Sequence, residues 1–234
     1  MNKLALLGLS LSLLVFCGTG CSSDEDGETL VDGVTMSGKI GDYAYVDLGL
    51  SVKWATYNVG ADRPIAFGTH FSWGETEKKY SYTESDYKWY DRGSREYVKK
   101  YCLDSWYGTV DNKKILDKED DAAAANWGGT WRMPTHEEVE ELINGCIWEF
   151  VTDFKGSGTD GALGTSKKNK NTIFLPAAGL LDYNGYRAGM GFYWTASLYN
   201  TRRPYDMGFI LEDKEVKVYV DYADNGASVR AVSE

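Results

Sequence analysis

The chain is predicted to be an α+β protein, with two helices packed on small antiparallel β-sheets and long connecting loops. Three observations carry that expectation. Aromatic residues make up 14% of the chain and 26 glycines stand against 4 prolines, a balance that suits aromatic-packed sheets and turns better than a helical bundle. Runs of β-branched and aromatic residues occupy both ends of the body, and two helical patterns lie between them. At 234 residues and 43% apolar, the chain is long enough for one large domain with its own core.

Residues 1–20 read as an address. Lys3 precedes the mostly apolar stretch from Leu4 to Phe16, which is too short to cross a hydrocarbon layer that takes roughly 20 helical residues. Gly18, Thr19 and Gly20 then lead into Cys21. This spacing resembles the bacterial lipobox, in which small residues admit a lipoprotein signal peptidase and the cysteine thiol accepts diacylglycerol. Gly18 departs from the leucine which that pattern favours, and ordinary secretion with an incidental cysteine is the alternative. Cys17 is no rival, because Phe16 before it is too bulky. Each buried acyl methylene would contribute about 0.8 kcal/mol to anchoring, so membrane contact is expected through this lipid anchor alone.

Residues 21–29 contain the acidic run from Ser22 to Glu28 and carry too little apolar surface to fold, which makes them a solvated tether. The run also resembles the acidic signal behind the lipidated cysteine in surface lipoproteins of Bacteroides-like bacteria. That resemblance implies an outer-membrane lipoprotein at the cell surface, with a periplasm-facing domain as the alternative. Loss of residues 1–20 removes Lys3 alone, so the exported body stays acidic. With 25 basic against 35 acidic residues, a net charge of −10 repels phosphate backbones, and no nucleic-acid partner is expected.

The folded domain is placed at residues 30–234. Tyr43 to Leu48 and Ser51 to Thr56 read as paired strands on either side of Gly49, and Thr69 to Trp73 as a further extended stretch in which His70 is an ordinary strand residue. Between Tyr80 and Tyr107 aromatics alternate with charged residues without a clean period, Trp89 and Trp106 among them. Exposed faces of this kind stack on sugars or anchor protein partners. A long loop also needs aromatic packing of its own to stay ordered, and both uses fit.

A helix is expected over Asp117–Asn126, with acids in its first turn, four alanines behind them, and Gly128 and Gly129 as its stop. Thr135 and Glu138 form a capping box that opens the second helix. Val139, Leu142, Ile143 and Cys146 make its apolar stripe, while Glu137, Glu138, Glu140 and Glu141 fall on the solvated face, with His136 expected in solvent. Strands return over residues 147–154, 172–175, 192–196, 206–211, 216–220 and 227–232, and Asn184-Gly185 is a hairpin signal.

In an exported body, Cys102 and Cys146 are left as a pair, either bridged or as two buried thiols. A bridge would contribute at most roughly 4 kcal/mol by loop-closure entropy. Neither cysteine has metal-ligand company, and the chain holds only His70 and His136, so no metal and no cofactor are expected.

Several phrases occur in fixed order: Tyr45 to Ala55, Phe71-Ser72-Trp73-Gly74-Glu75, Asp121-Ala122-Ala123, Asn126 to Thr135, Ile173 to Gly179, Tyr193-Trp194-Thr195-Ala196-Ser197 and Ser228-Val229-Arg230-Ala231-Val232. Together they resemble the Fibrobacter succinogenes major paralogous domain family over nearly the whole body. The resemblance implies a C-type-lectin-like fold related to the formylglycine-generating-enzyme superfamily. It does not bring the chemistry along. Those enzymes use a reactive cysteine pair in their last third, and nothing after Cys146 supplies one; the iron-dependent relatives need several histidines. A calcium-lectin motif is missing too, since Arg203-Pro204-Tyr205 does not match it.

No catalytic constellation emerges, and a non-catalytic module binding a glycan or a protein is the expectation. A divergent enzyme of the superfamily or a structural envelope component are the alternatives. In the resembled fold the ligand face is built from loops around the central strands. That places Tyr183, Tyr186 and Arg187, and then Tyr199, Asn200, Arg202 and Arg203, among the candidate contacts, with Trp89 and Trp106 from the aromatic stretch.

Overall fold

The computed structural model describes residues 29–234, so Cys21 and nearly all of the acidic tether lie outside the described residues. The first part of the body carries β1 (Thr29–Val31), β2 (Val34–Met36), β3 (Gly38–Ile40), β4 (Tyr43–Val46), β5 (Lys53–Ala55), β6 (Tyr90–Asp91) and β7 (Ser94–Val98). Two helices follow, α1 (Ala122–Trp127) and α2 (His136–Gly145). The second half carries β8 (Cys146–Val151), β9 (Gly161–Ser166), β10 (Thr172–Pro176), β11 (Leu180–Asp182) and β12 (Gly185–Arg187). It closes with β13 (Met190–Asn200), β14 (Arg203–Ile210), β15 (Glu215–Val220) and β16 (Val232–Ser233).

The strands pair as small antiparallel sheets, ordered β16-β5-β4-β3, β13-β14-β15 and β10-β9-β8, with hairpins β1-β2, β6-β7 and β11-β12. The α+β expectation therefore holds as a sheet-rich fold with two helices. The pairing of the Tyr43 and Ser51 runs is present as β4 on β5, with Val46 opposite Trp54.

β13 divides the core. Successive side chains of a strand point to opposite faces, so Phe192, Trp194, Ala196 and Leu198 enter one apolar cluster while Tyr193 enters the other. The first cluster includes Trp73, Tyr101, Trp131 and Met133, and the second includes Trp54, Val139, Leu142, Met207 and Phe209. Full burial of Val139 and Leu142 contributes roughly 1.5–3 kcal/mol for each side chain. Thr135 and Glu138 close the anticipated capping box, worth about 1 kcal/mol.

Two tryptophans pin the first cluster reciprocally. Trp73 Nε1 donates to the carbonyl of Thr195 at 2.8 Å, and Trp194 Nε1 donates to the carbonyl of Phe71 at 2.7 Å. Arg230, fully buried, completes the brace: its guanidinium donates to Asn58 Oδ1 and to the carbonyls of Ala55, Thr56 and Phe174 at 2.9–3.2 Å. Burial pushes its pKa down to about 10, and its partners are neutral oxygens.

Several expectations need correction. The helix expected over Asp117–Asn126 is a single 3-10 turn, Lys118–Asp120, followed by the short α1. The acids are not dipole partners in a first turn; two of them are buried and committed to specific donors. Asp121 caps α1 through Oδ1, which accepts from the Ala123 and Ala124 amides, while Oδ2 accepts from Met133 N. Asp120 accepts from Lys100, Tyr101 and Lys88, and although burial works to raise its pKa, these donors hold it below the usual carboxylate range.

Glu138 is no solvated acid either, because it grips Arg132 with both oxygens as well as closing the cap. Glu141 accepts from Ser51. His136 is not in solvent but stacks on Tyr205, ring centroids 3.9 Å apart. Residues 227–232 do not form the expected strand. They run as buried chain bridged to Phe71, Tyr193 and Arg132, with β16 alone in a ladder. Likewise, residues 69–73 join no ladder: Phe71 makes an isolated bridge with Ala227, Thr69 N and Trp73 N donate to the carbonyls of Val59 and Ala223, and His70 Nε2 pairs with the carbonyl of Ala178.

Cys102 and Cys146 are free and buried. The disulfide alternative therefore does not hold, because each thiol belongs to a different core cluster.

Candidate functional site

The long aromatic stretch is mostly turned inward. Tyr82, Tyr87, Tyr90 and Tyr101 are buried, and Tyr87 OH donates to the carbonyl of Trp73. Trp89 is not an exposed contact, as the sequence allowed. Its indole donates to the carbonyl of Gly74, its ring meets Tyr101 edge-on, and Lys88 and Lys100 lie over it. Self-packing thus accounts for most of the stretch, but Trp106 remains 85% exposed.

At its far end the stretch meets the turn between β13 and β14. Tyr199, Asn200, Thr201 and Arg202 form one wall of a cavity of about 570 Å³, and Leu103, Asp104, Tyr107, Asn112 and Lys114 form the other. Volumes of roughly 300–1,000 Å³ are typical of small-ligand sites.

Long-range bonds hold the two walls together. Thr201 Oγ1 accepts from Leu103 N at 2.8 Å, Leu198 N donates to the Lys114 carbonyl at 2.7 Å, and Ile115 bridges Ser197. Asp111 ties the wall built from residues 103–114: its carboxylate accepts from the amides of Tyr101, Cys102 and Lys113. Cys102 Sγ, beneath this wall, donates to the carbonyl of Asp104. Gly108 is required by contact, because a Cβ there would meet the Val98 carbonyl oxygen at 2.3 Å.

Three non-glycine residues around the cavity have left-handed backbones, Tyr101 (φ 64°), Asn112 (φ 54°) and Arg202 (φ 81°). Such a conformation costs about 1–2 kcal/mol at an ordinary L-residue and persists where the surroundings hold it. A two-residue hairpin turn favours Asn-Gly, yet Thr201-Arg202 stands here, with Thr201 buried as the anchor and the Arg202 carbonyl accepting from Ala223 N.

The Arg202 guanidinium lies over the Tyr107 ring, 4.2 Å from its centroid, and Nη2 donates to Tyr107 OH at 3.0 Å. Its Nε is buried and meets no acceptor among the described residues. Tyr199, 53% exposed, is braced edge-on by Tyr205, whose other contact is the His136 ring. Asp104 Oδ1 accepts from Trp106 N, which sets the turn carrying the exposed Trp106 ring beside the cavity.

Of the sequence-derived candidates, Tyr199, Asn200 and Arg202 line this cavity, and Tyr183, Tyr186, Arg187 and Arg203 do not. The hairpin that carries Tyr183, Tyr186 and Arg187 is real: β11 and β12 pair around Tyr183 and Asn184, with Asn184 N donating to Asp182 Oδ1. Its residues are partly committed to packing. Tyr186 covers Gly179 and meets His70 edge-on, and Arg187 pairs with Asp182 at 3.6 Å. Arg203 and Arg95 sandwich Tyr222, 4.1 and 3.8 Å from its centroid; Arg203 also donates a hydrogen bond to its hydroxyl, which lowers that phenol's pKa.

Two other concavities offer less free chemistry. A cleft of about 470 Å³ is floored by Leu116, Ala124, Trp131, Met133 and Ala196. Two of the charged groups on its walls are already used, Asp121 by three amides and Arg132 by Glu138. At the third, Tyr43 and Trp127 stack on one another at 4.1 Å.

Among the described residues no three His, Cys, Asp or Glu side chains gather closely enough to hold a metal, and no helix is long and apolar enough to cross a membrane. Leu103, Asp104, Asn112 and Lys114 were not legible as site residues, because only contacts spanning most of a hundred residues bring them to Asn200. Compared with protein-family models, curated proteins and solved structures, the chain matches none. The functional reading therefore rests on the chemistry of the cavity.

Proposed function

We propose that the protein is a cell-envelope lipoprotein, anchored through Cys21 at the outer membrane and facing the cell surface, whose C-type-lectin-like body is a non-catalytic glycan-binding module. The observation that supports the glycan is the composition of the Asn200 cavity. A sugar ring offers an apolar C–H face and a rim of hydroxyls. The cavity offers the exposed ring of Tyr199 together with the amides of Asn112 and Asn200 and the carboxylate of Asp104. Aromatic faces bury the ring's apolar side, and planar amides take its hydroxyls as donor and acceptor at once.

The test is an oligosaccharide array probed with the purified protein beside its Asn200→Ala and Tyr199→Ala forms. The wild type should bind a subset of glycans, and each substitution should weaken that binding by about tenfold, the loss of one good contact. Retention of full binding by both variants, or silence across broad panels, contradicts the proposal. Stoichiometric copper or iron in the purified protein would favour the enzymatic alternative. For the anchor, Cys21→Ser should move the protein from the membrane fraction to the soluble one.

A further inference from the structure

We infer that the glycan taken by the Asn200 cavity is acidic, its carboxylate or sulfate held between Arg202 and Lys114; the inference rests on the glycan reading above. The chain as a whole is acidic, at −10, yet this cavity sets two cations against one carboxylate, Asp104. Both cations lack an acid. Arg95, Arg132 and Arg187 each meet a carboxylate, at Asp224, Glu138 and Asp182. Arg202 and Lys114 meet none among the described residues; the neighbouring Lys113 is the one that pairs with Asp117.

Arg202 is also presented rather than merely exposed. Stacking on Tyr107 fixes the plane of the guanidinium and uses one of its five donors, at Nη2, while Nη1 keeps both of its donors without a partner among the described residues and is the end that meets an oxyanion. Its backbone sits at φ 81°, where glycine or asparagine would be less strained, so the turn keeps an arginine at the expense of local stability. The side chain is what that position supplies. Lys114 adds a point charge from the opposite wall, and Tyr199 gives the ring a face to lie on.

Titration of the full protein with three matched oligosaccharides tests the inference: an oligouronate, a sulfated oligomer and a neutral one. An acidic ligand should bind at least about tenfold tighter than the neutral one, in line with a charge-assisted hydrogen bond. Raising the ionic strength from about 0.05 to about 0.5 M should erode that advantage. Whichever acidic oligomer wins identifies carboxylate or sulfate as the group held.

Two variants locate the effect. Arg202→Asn, tolerated by a left-handed backbone, and Lys114→Gln should each lower acidic-glycan affinity by about tenfold and lower neutral-glycan affinity by a smaller factor, so that the acid preference shrinks. Circular dichroism and Tm of Arg202→Asn should match the wild type or exceed it, which separates lost recognition from lost fold. Equal affinity for neutral and acidic oligomers overturns the acidic inference and leaves the glycan reading standing. No binding of any oligomer overturns both. Acid preference unchanged in both variants places the anion elsewhere and overturns the assignment to this cavity.

Discussion

Arg230 and Arg202 hold their guanidiniums in opposite ways. In the core, Arg230 is fully buried and commits all three nitrogens, to Asn58 and to the carbonyls of Ala55, Thr56 and Phe174. At the cavity, among the described residues, Arg202 makes one side-chain hydrogen bond, to Tyr107 OH, while its Nε meets no acceptor. The same contrast runs through the aromatic residues. The indoles of Trp73 and Trp194 each close a backbone carbonyl across the core, whereas Trp106 and Tyr199 present exposed faces. Residues consumed by the fold report on stability, and residues left unconsumed are free to report on a ligand.

Removing a consumed group should give the largest effect. Arg230→Met strips four hydrogen bonds from buried acceptors, and unsatisfied buried groups cost about 1–3 kcal/mol each. Urea unfolding should show a loss of roughly 3–5 kcal/mol or no folded protein at all. A loss under about 1 kcal/mol would mean that the brace is dispensable and the contrast false.

Asp206 sharpens the comparison from the other side, as a consumed position that is itself unsatisfied. It is fully buried in β14, neither carboxylate oxygen has a partner among the described residues, and burial raises its pKa well above the usual range, with Asp221 adding to the shift. The folded state therefore holds a proton which the unfolded chain releases near about 3.9. Stability from this group is complete below that value and is lost as pH rises above it. Asp206→Asn should match the wild type in Tm at about pH 4 and exceed it at about pH 8. Parallel Tm profiles for the two forms would contradict the assignment.

The two thiols give a smaller effect. Burial pushes the Cys146 thiol up to about 11, and Cys102 is equally enclosed, so neither should react with a thiol reagent at about pH 8 until the protein is unfolded. Reductant should leave Tm unchanged. A Tm that falls on reduction would restore the bridge. Smallest of all should be the stability cost of Trp106→Ala, within about 0.5 kcal/mol, because the exposed ring supports no core contact.

Much of the consumed region was legible in the sequence, and little of the unconsumed one. The run from Asn126 to Thr135 looked distinctive because nearly every residue in it is tied: Trp131 Nε1 to the Ile40 carbonyl, Arg132 to Glu138, Met133 N to Asp121, Thr135 to the cap. The Val139, Leu142 and Cys146 stripe was readable from helical spacing alone, and so was the Asn184-Gly185 hairpin from its turn chemistry.

Acids misled where local pattern and tertiary use diverge. Asp120 and Asp121 look like first-turn residues of a helix, but one gathers Lys88, Lys100 and Tyr101 and the other caps α1. The cavity itself was half visible. Tyr199, Asn200 and Arg202 lie within four residues at one turn and could be nominated together, while the opposite wall depends on Thr201 reaching Leu103, a contact no local pattern encodes.

Backbone amide shifts recorded during titration of the protein with its best-binding oligosaccharide test the central contrast most directly. The account predicts perturbations concentrated in residues 103–114 and 199–202, with Arg230, Trp73 and Trp194 unmoved. Perturbations centred on the Tyr183–Arg187 hairpin or on the cleft under Trp131, with the Asn200 cavity silent, would contradict it.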